Sequence, residues 1–407
     1  MLLQGVEKAD GEQRDRVRVQ ARLRYDGDGH EEVIWFDLPR SEELHLSSSG
    51  NPWLVALLPI AVSLREPLRM PLPVDPVLLE GCRRLLEVWC AWYPHLSPIP
   101  IEATTAEQSV GTHANGTGLF FSGGVDSFHS LIRHNDAEGS NQSVRVTDLV
   151  LVHGADIPIS DREAFDRLRP RMAEVAREFG AGLVDIATNM RDTRWGRADW
   201  PHLSHAALLT SAGLLLESRL SRLMIASSAS FDRLRPYGSH PITDPLYSTS
   251  RTRVIHDSAD RDRPEKIAAI AANPAVHKHL RVCWLGRTDS NCGRCPKCFH
   301  TMVGMELAGM LGRCETLPRA IDLSVFRNVY FESQGTYNAY GMLRRYRQLA
   351  WLAGRHDLVR LLDHVLQRSD RLGFTRDVIQ GLARRGLIPA ELSKNLIARL
   401  FRSSVKY

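Results

Sequence analysis

From Gly118 onward, short apolar runs alternate with stretches of helical period, and that alternation leaves few folds open to the chain. Leu119 to Phe121, Val146 to His153, Leu183 to Ile186 and Leu223 to Ala226 each carry the aliphatic and aromatic side chains of a buried strand. Between the second and third runs, Ala164, Phe165, Leu168, Met172, Val175, Ala176 and Phe179 recur on one face of a helix. Residues 203 to 220 are apolar nearly all round, which predicts a buried helix. Strands separated by helices cannot close as tight hairpins, so they pair in parallel with the helices covering the sheet. The expected fold class is α/β.

Open parallel sheets bind ligands at the carboxyl ends of their strands. At the first such end stands Leu119-Phe120-Phe121-Ser122-Gly123-Gly124-Val125-Asp126-Ser127, an apolar strand running through a glycine turn into a helix. Backbone N–H groups of such a turn converge with the positive end of the helix dipole, and the absent side chains let a phosphate approach closely. Ser122 and Ser127 can add hydroxyl donors. Asp126 repels phosphate, so its carboxylate makes chemical sense as a holder of Mg2+ bridging to the phosphates. A kinase or GTPase loop needs Lys before its final Ser or Thr, and Asp126 occupies that place.

The run resembles the signature loop of the ATP pyrophosphatase (PP-loop) family, S-G-G-x-D-S after a strand, at all five fixed positions. The resemblance implies a core of the adenine-nucleotide α-hydrolase type in which residues 121 to 127 bind ATP. It also implies cleavage between the α and β phosphates: an oxygen is adenylated, pyrophosphate leaves, and a nitrogen or sulfur nucleophile displaces AMP.

Cys283, Cys292, Cys295 and Cys298 follow in the pattern C-x8-C-G-x-C-x2-C. Two overlapping C-x2-C steps with Gly293 and Pro296 between them suit a metal knuckle, and four thiolates suit tetrahedral Zn2+. An iron–sulfur cluster takes the same ligands, and a redox pair would use two of them. Cys82, Cys90 and Cys314 read as buried thiols. With the loop, this cluster makes residues 118 to 312 similar to the 7-cyano-7-deazaguanine synthases, which add nitrogen to an ATP-activated carboxylate of a deazapurine. That resemblance points to Arg263-Pro264-Glu265-Lys266-Ile267 as the segment holding a phosphate-steadying lysine, Lys266; an exposed helix lysine is the alternative. Some synthase-like chains with added domains resemble antiviral components, which allows conjugation to a protein. Sulfur insertion into tRNA and nucleotide sensing in a larger assembly are the rival functions.

The synthases lack counterparts for the two ends of this chain. Residues 16 to 25 alternate strictly between polar and apolar, a strand with one wet, basic face. After Asp26-Gly27-Asp28-Gly29, Glu31 to Leu38 should return as a hairpin partner. Asp75 and Pro76 open a helix whose apolar face is Leu78, Leu79, Cys82, Leu85, Leu86 and Trp89. An N-terminal α+β module over 1 to 110, a Pro/Ser/Gly-rich linker over 97 to 117, and a helical region over 318 to 407 complete the expected organisation. Residues 342 to 407 carry 12 Arg and 2 Lys against 4 Asp and 1 Glu, so this end holds +9 and the rest −4 of the net +5. Nucleic acid or an acidic protein fits such a surface, as does a plain solvated face.

The 407 residues suffice for one large core and smaller satellites. The longest apolar stretch, Trp53 to Val62, contains Pro59 and falls well short of the roughly 20 residues that span a bilayer. The first ten residues turn polar too early for a signal peptide, and clustered cysteines favour a reducing compartment, so a cytoplasmic protein is expected. Its expected partners are a small-molecule or protein acceptor and, in a homodimer, a second copy of itself. Weaker candidates for the nucleotide end are His202, His205, Trp195 and Trp200. The tract Asp232 to Tyr247 lies where the synthases recognise their deazapurine.

Overall fold

The computed structural model describes residues 1–106, 114–136, 144–283, 289–326, 330–331 and 339–400. The chain divides into two compact units, Met1–Asp260 and Arg261–Tyr407. The segment expected as a linker lies in the first unit: part of it forms strands, and residues 107–113 fall outside the described residues.

Met1–Asp260 is α/β, built on one ten-stranded sheet. Its strands are β1 (Leu2–Asp10), β2 (Arg16–Arg24), β3 (Glu31–Pro39), β4 (Leu68–Val74), β5 (Ile101–Thr105), β6 (Gly116–Phe120), β7 (Asp148–His153), β8 (Gly182–Thr188), β9 (Leu220–Ala226) and β10 (Arg253–Asp257), in the order β10-β9-β6-β7-β8-β3-β2-β1-β4-β5. The half from β10 to β8 is wholly parallel. Three of its four connections contain an α-helix, α3 (Val125–Asn135), α4 (Arg162–Glu178) and α5 (His205–Leu214), and the fourth, from β9 to β10, carries only short 3-10 turns.

The expected hairpin is present, with β2 and β3 paired antiparallel from Arg16↔Pro39 to Arg24↔Glu31. Its inward residues Val17, Val19, Ala21 and Leu23 are buried, as the alternation requires. The hairpin is joined to the core, because β3 pairs antiparallel with β8 at Phe36↔Thr188 and Asp37↔Ala187. Asn189 continues the seam, accepting from the Trp35 N–H and donating to the Val33 carbonyl, each at 2.9 Å. Arg16 crosses it with a 2.6 Å bond from Nη1 to Asp185 and a shorter one from Nε to Asp37.

Two further helices pack in this unit, α1 (Asn51–Leu64) and α2 (Pro76–Trp92). In α1 every residue from Asn51 to Val62 is buried, so the apolar stretch that was too short for a bilayer is an interior helix lying against α5. Complete burial of Trp53, Leu54, Leu57 and Leu58 contributes about 1.5–3 kcal/mol per side chain. Arg65, in the left-handed conformation at φ 58°, ends it. Asp75 caps α2 by accepting from the Val77 and Leu78 N–H groups.

Arg261–Tyr407 is helical: α6 (Arg263–Ile270), α7 (Pro274–His279), α8 (Pro296–Leu307), the single turn α9 (Leu323–Phe326), α10 (Ala339–Leu352), α11 (His356–Arg384) and α12 (Ala390–Leu400). Leu358, Leu361, Leu362 and Val365 bury one face of α11, while Phe374, Val378 and Leu382 stay exposed further along it. Among the described residues no helix is long and apolar enough to cross a membrane.

Candidate active site

The parallel half of the sheet reverses direction once. From β6 the chain adds β7 and then β8 on one side, and after α5 it returns to place β9 and β10 on the other. The switch point lies between β6 and β9, where the loops leaving the two strands diverge and open a crevice at their carboxyl ends. The 121 to 124 turn leaves β6 at that point.

The turn is built for close approach. Gly123 sits at φ 75°, a conformation that a Cβ penalises. Gly124 is the N-cap of α3 and supplies no side chain, so no side-chain cap satisfies the first N–H groups of the helix. Ser122 Oγ lies 3.3 Å from the Gly124 N–H, and Ser127 Oγ donates back to the Gly124 carbonyl at 3.1 Å. The two hydroxyls thus rest on the turn itself. Phe121 is held by its N–H to the Val150 carbonyl at 2.9 Å, and its ring meets Phe128 edge-on with centroids 5.0 Å apart. Val125 is buried, and Asp126 occupies the first turn of α3. These seven residues form one contiguous strand–turn–helix edge.

The other side of α3 is locked to β10 by a buried polar network. Ser130 Oγ donates to Asp257 Oδ2 at 2.6 Å, His134 Nε2 lies 3.1 Å from Oδ1, and Ser258 Oγ donates to Oδ2 at 2.9 Å. Burial works to raise the Asp257 pKa, but the bonds from His134 and Ser130 outweigh it and hold the carboxyl well below its usual range.

The residues leading from β8 into α5 gather a cluster of rings. Trp200 opens a π-helical turn, Trp200–Ser204, that leads into α5. The guanidinium of Arg191 lies 4.2 Å from the Trp200 ring centroid, and His205 meets the same ring edge-on at 5.0 Å. His205 also neighbours Tyr237, while His202 neighbours Tyr93 and Tyr237. His202 Nδ1 lies 3.1 Å from both oxygens of Asp199, the residue capping the turn. Trp195 does not join these rings: it is fully buried and donates its indole N–H to the Ala56 carbonyl at 2.5 Å, so it packs the loop's interior.

The tract Asp232 to Tyr247 contributes a cluster that no motif announces. Asp244 Oδ2 accepts from Ser239 Oγ at 2.7 Å and lies 2.7 Å from Nδ1 of His256, and its Oδ1 accepts from the His240 N–H at 2.9 Å. His256 belongs to β10, a strand too short and too charged to be read from the sequence, and only the fold brings it to Asp244.

In Arg261–Tyr407 the four cysteines converge. Their sulfurs all lie within 4.8 Å of one another, with 3.9 Å between Cys292 and Cys298 and between Cys283 and Cys295. Zn–S bonds of about 2.3 Å in a tetrahedron require sulfur separations of about 3.8 Å, so the four residues fit one zinc ion. Such a closed four-thiolate set suits a structural ion. Cys295 caps α8, and its sulfur accepts from the Cys298 N–H at 3.4 Å. Asn291 clamps the knuckle by accepting from the Val282 and Cys283 N–H groups and donating to the Leu280 and Thr316 carbonyls. Gly293, at φ 67°, is packed so that a Cβ would stand 2.6 Å from Pro318. Bonds from Cys295 and Cys298 pull the Cys283 thiol far below its usual range, while Cys295, bonded to that sulfur, is pushed up to about 12.

Lys266 lies in α6, which opens with a reciprocal capping box between Asp262 and Glu265. It is 1% exposed, so the exposed-lysine alternative does not hold. Cys82 and Cys314 are buried as expected, and Cys90 is partly exposed. Comparison of the chain with protein-family models, with curated proteins and with solved structures finds no match.

Proposed function

We propose that the protein is an ATP-dependent, AMP- and pyrophosphate-forming ligase that adenylates a carboxylate or carbonyl oxygen and couples it to a nitrogen nucleophile. The observation carrying this reading is the position of Ser122-Gly123-Gly124-Val125-Asp126-Ser127. It is a glycine turn at φ 75° entering an uncapped helix at the topological switch point of a parallel sheet.

In this reading the backbone N–H groups of 123 to 125 and the Ser122 and Ser127 hydroxyls grip the departing pyrophosphate. Asp126 is the carboxylate that would hold Mg2+, whose charge would neutralise the phosphates when bound. Catalysis by these residues is chiefly positioning and charge stabilisation. The rings of Trp200, His205 and Tyr237 suit a planar, heteroaromatic acceptor such as a carboxylated deazapurine. The four cysteines brace their own unit around zinc.

A sulfur relay to tRNA draws support from the basic C-terminal end, but it needs an activated thiol. Burial pushes Cys82 far up, raises Cys90, and takes Cys314 to about 11, which leaves those three poor nucleophiles at neutral pH. A nucleotide-sensing scaffold would bind ATP without turnover. The test is pyrophosphate release from ATP with a carboxylated 7-deazapurine and ammonium, in wild type and Asp126→Ala. Release that is acceptor-dependent and lost in the variant is expected; equal rates in the two proteins would remove the mechanism.

A further inference from the structure

The Asp244–His256 pair has features that packing alone does not require. In β10, Asp257 faces α3, where it meets Ser130 and His134. His256, the residue before it, therefore projects to the opposite face of the sheet. The pairings Leu119↔Met224 and Met224↔Ile255 place His256 one step further toward the carboxyl ends, level with Phe120, the last residue before the phosphate turn. Two strand spacings, about 10 Å, separate those two backbone positions. His256 thus stands across the switch-point crevice from the turn, on the face of α5, which approaches Phe120 at Gly213.

Its chemistry is set by its neighbours. The Asp244 side chain is 0% exposed and that of His256 4%. Three groups converge on the two oxygens of Asp244, as befits a carboxylate. A carboxylate can only accept, so Nδ1 of His256 donates, and in the neutral ring the lone pair is left on Nε2. Nε2 is buried and has no hydrogen-bond partner among the described residues. A buried acceptor with no partner is costly and calls for an explanation, a catalytic role being one. Trp92 meets His240 edge-on at 4.9 Å, and Ser239 and His240 adjoin Asp244, so polar groups surround the pair with one aromatic ring beyond them.

We infer that Asp244 and His256 form the general-base dyad of the nitrogen-transfer step, with Asp244 fixing the ring and His256 Nε2 receiving the proton. The inference rests on the adenylation reading and names the group that acts on the incoming amine. As the amine nitrogen attacks the acyl carbon of the adenylate, a C–N bond forms and the C–O bond to AMP breaks. AMP departs with the electron pair, and one N–H proton passes to Nε2. Adenylation itself needs no such base, because its nucleophile is already a carboxylate.

That separation makes the dyad testable. With ATP, a carboxylated 7-deazapurine and ammonium, two reactions are followed in wild type, His256→Gln and Asp244→Asn: exchange of labelled pyrophosphate into ATP, and amide formation. His256→Gln is expected to keep exchange within about 2-fold while amide formation falls about 100-fold or more, the usual range for loss of a general base. Unchanged amide formation, or an equal fall in both reactions, would overturn the dyad. Nitrogen-15 NMR of the wild-type imidazoles supplies an independent arm that requires no acceptor. A proton on Nδ1 of His256 and a lone pair on Nε2 are expected, and the reverse tautomer would overturn the assignment. If wild-type protein shows no exchange with this acceptor, the adenylation reading fails there, and the tautomer still decides the dyad.

Discussion

Replacing Arg16 by Met should loosen the seam between the N-terminal hairpin and the parallel strands. Arg16 makes a 2.6 Å bond to Asp185 Oδ2, 3.1 Å and 2.6 Å bonds to the Asp185 and Asp37 carbonyls, and a further bond to the Asp37 carboxylate. Both carboxylates are 3% exposed. Burial alone would lower the guanidinium pKa, yet the neighbouring charges of Asp185 and Asp37 raise it. Removing one member of a buried ionic set costs about 3–5 kcal/mol, because the remaining charges lose their counter-ion. Asp37 keeps Arg18 at 3.2 Å and Asp185 keeps Arg169 at 2.8 Å, so the lower end, about 3 kcal/mol, is expected. That is roughly a 150-fold rise in the local opening constant. Two units need not unfold together, so the assay is native-state hydrogen exchange read on β2, β3 and β8 by mass spectrometry. A triple variant, Arg16→Met with Asp37→Leu and Asp185→Leu, should recover most of the loss, since both buried carboxylates go with the guanidinium while Arg18 and Arg169, 22% and 51% exposed, can turn to water. A cost below about 1 kcal/mol in the single variant, or a triple variant no better than the single, would refute the reasoning.

Gly123→Val should weaken ATP binding at least 10-fold by calorimetry, since a β-branched residue at φ 75° strains the turn and its side chain obstructs the phosphate. Cys298→Ser should reduce bound zinc from about one ion per chain to a small fraction of that by elemental analysis, and strong chelation should lower the thermal midpoint of wild type. Asp257, with its pKa depressed in the folded state, contributes stability that is complete above its unfolded value of about 4 and is lost as pH falls toward the folded value. The stability gap between wild type and Asp257→Asn should therefore narrow below about pH 4 in acid titrations of thermal unfolding.

Local chemistry was readable wherever neighbours in sequence are neighbours in space. The 16 to 38 hairpin, the Asp75 cap, the glycine turn into α3 and the convergence of the four cysteines all depend on short spacings, and each stands where its pattern places it. Elsewhere the pattern was broken for identifiable reasons. β4 contains Pro71 and Pro73, which cannot donate to a ladder, and its register with β5 shifts between Met70 and Val74. α1 is apolar on all sides because it is buried on all sides, so it shows no face to detect. The pairing of β3 with β8 joins residues about 150 apart, and the approach of Asp244 to His256 depends on the path of a loop. No spacing rule encodes either.

Helix α2 carries a further consequence. Gly81 lies so close to the turn at Asp244–Tyr247 that a Cβ there would stand 2.0 Å from the Leu246 carbonyl oxygen. At the two ends of the same helix, Asp75 accepts from Ser250, and Trp92 meets the ring of His240. The N-terminal residues are therefore the mould against which the loop carrying Asp244 is cast, and not a separable attachment to the parallel strands. A chain trimmed to its parallel strands would keep the 121 to 124 turn and lose the surface that shapes Asp244.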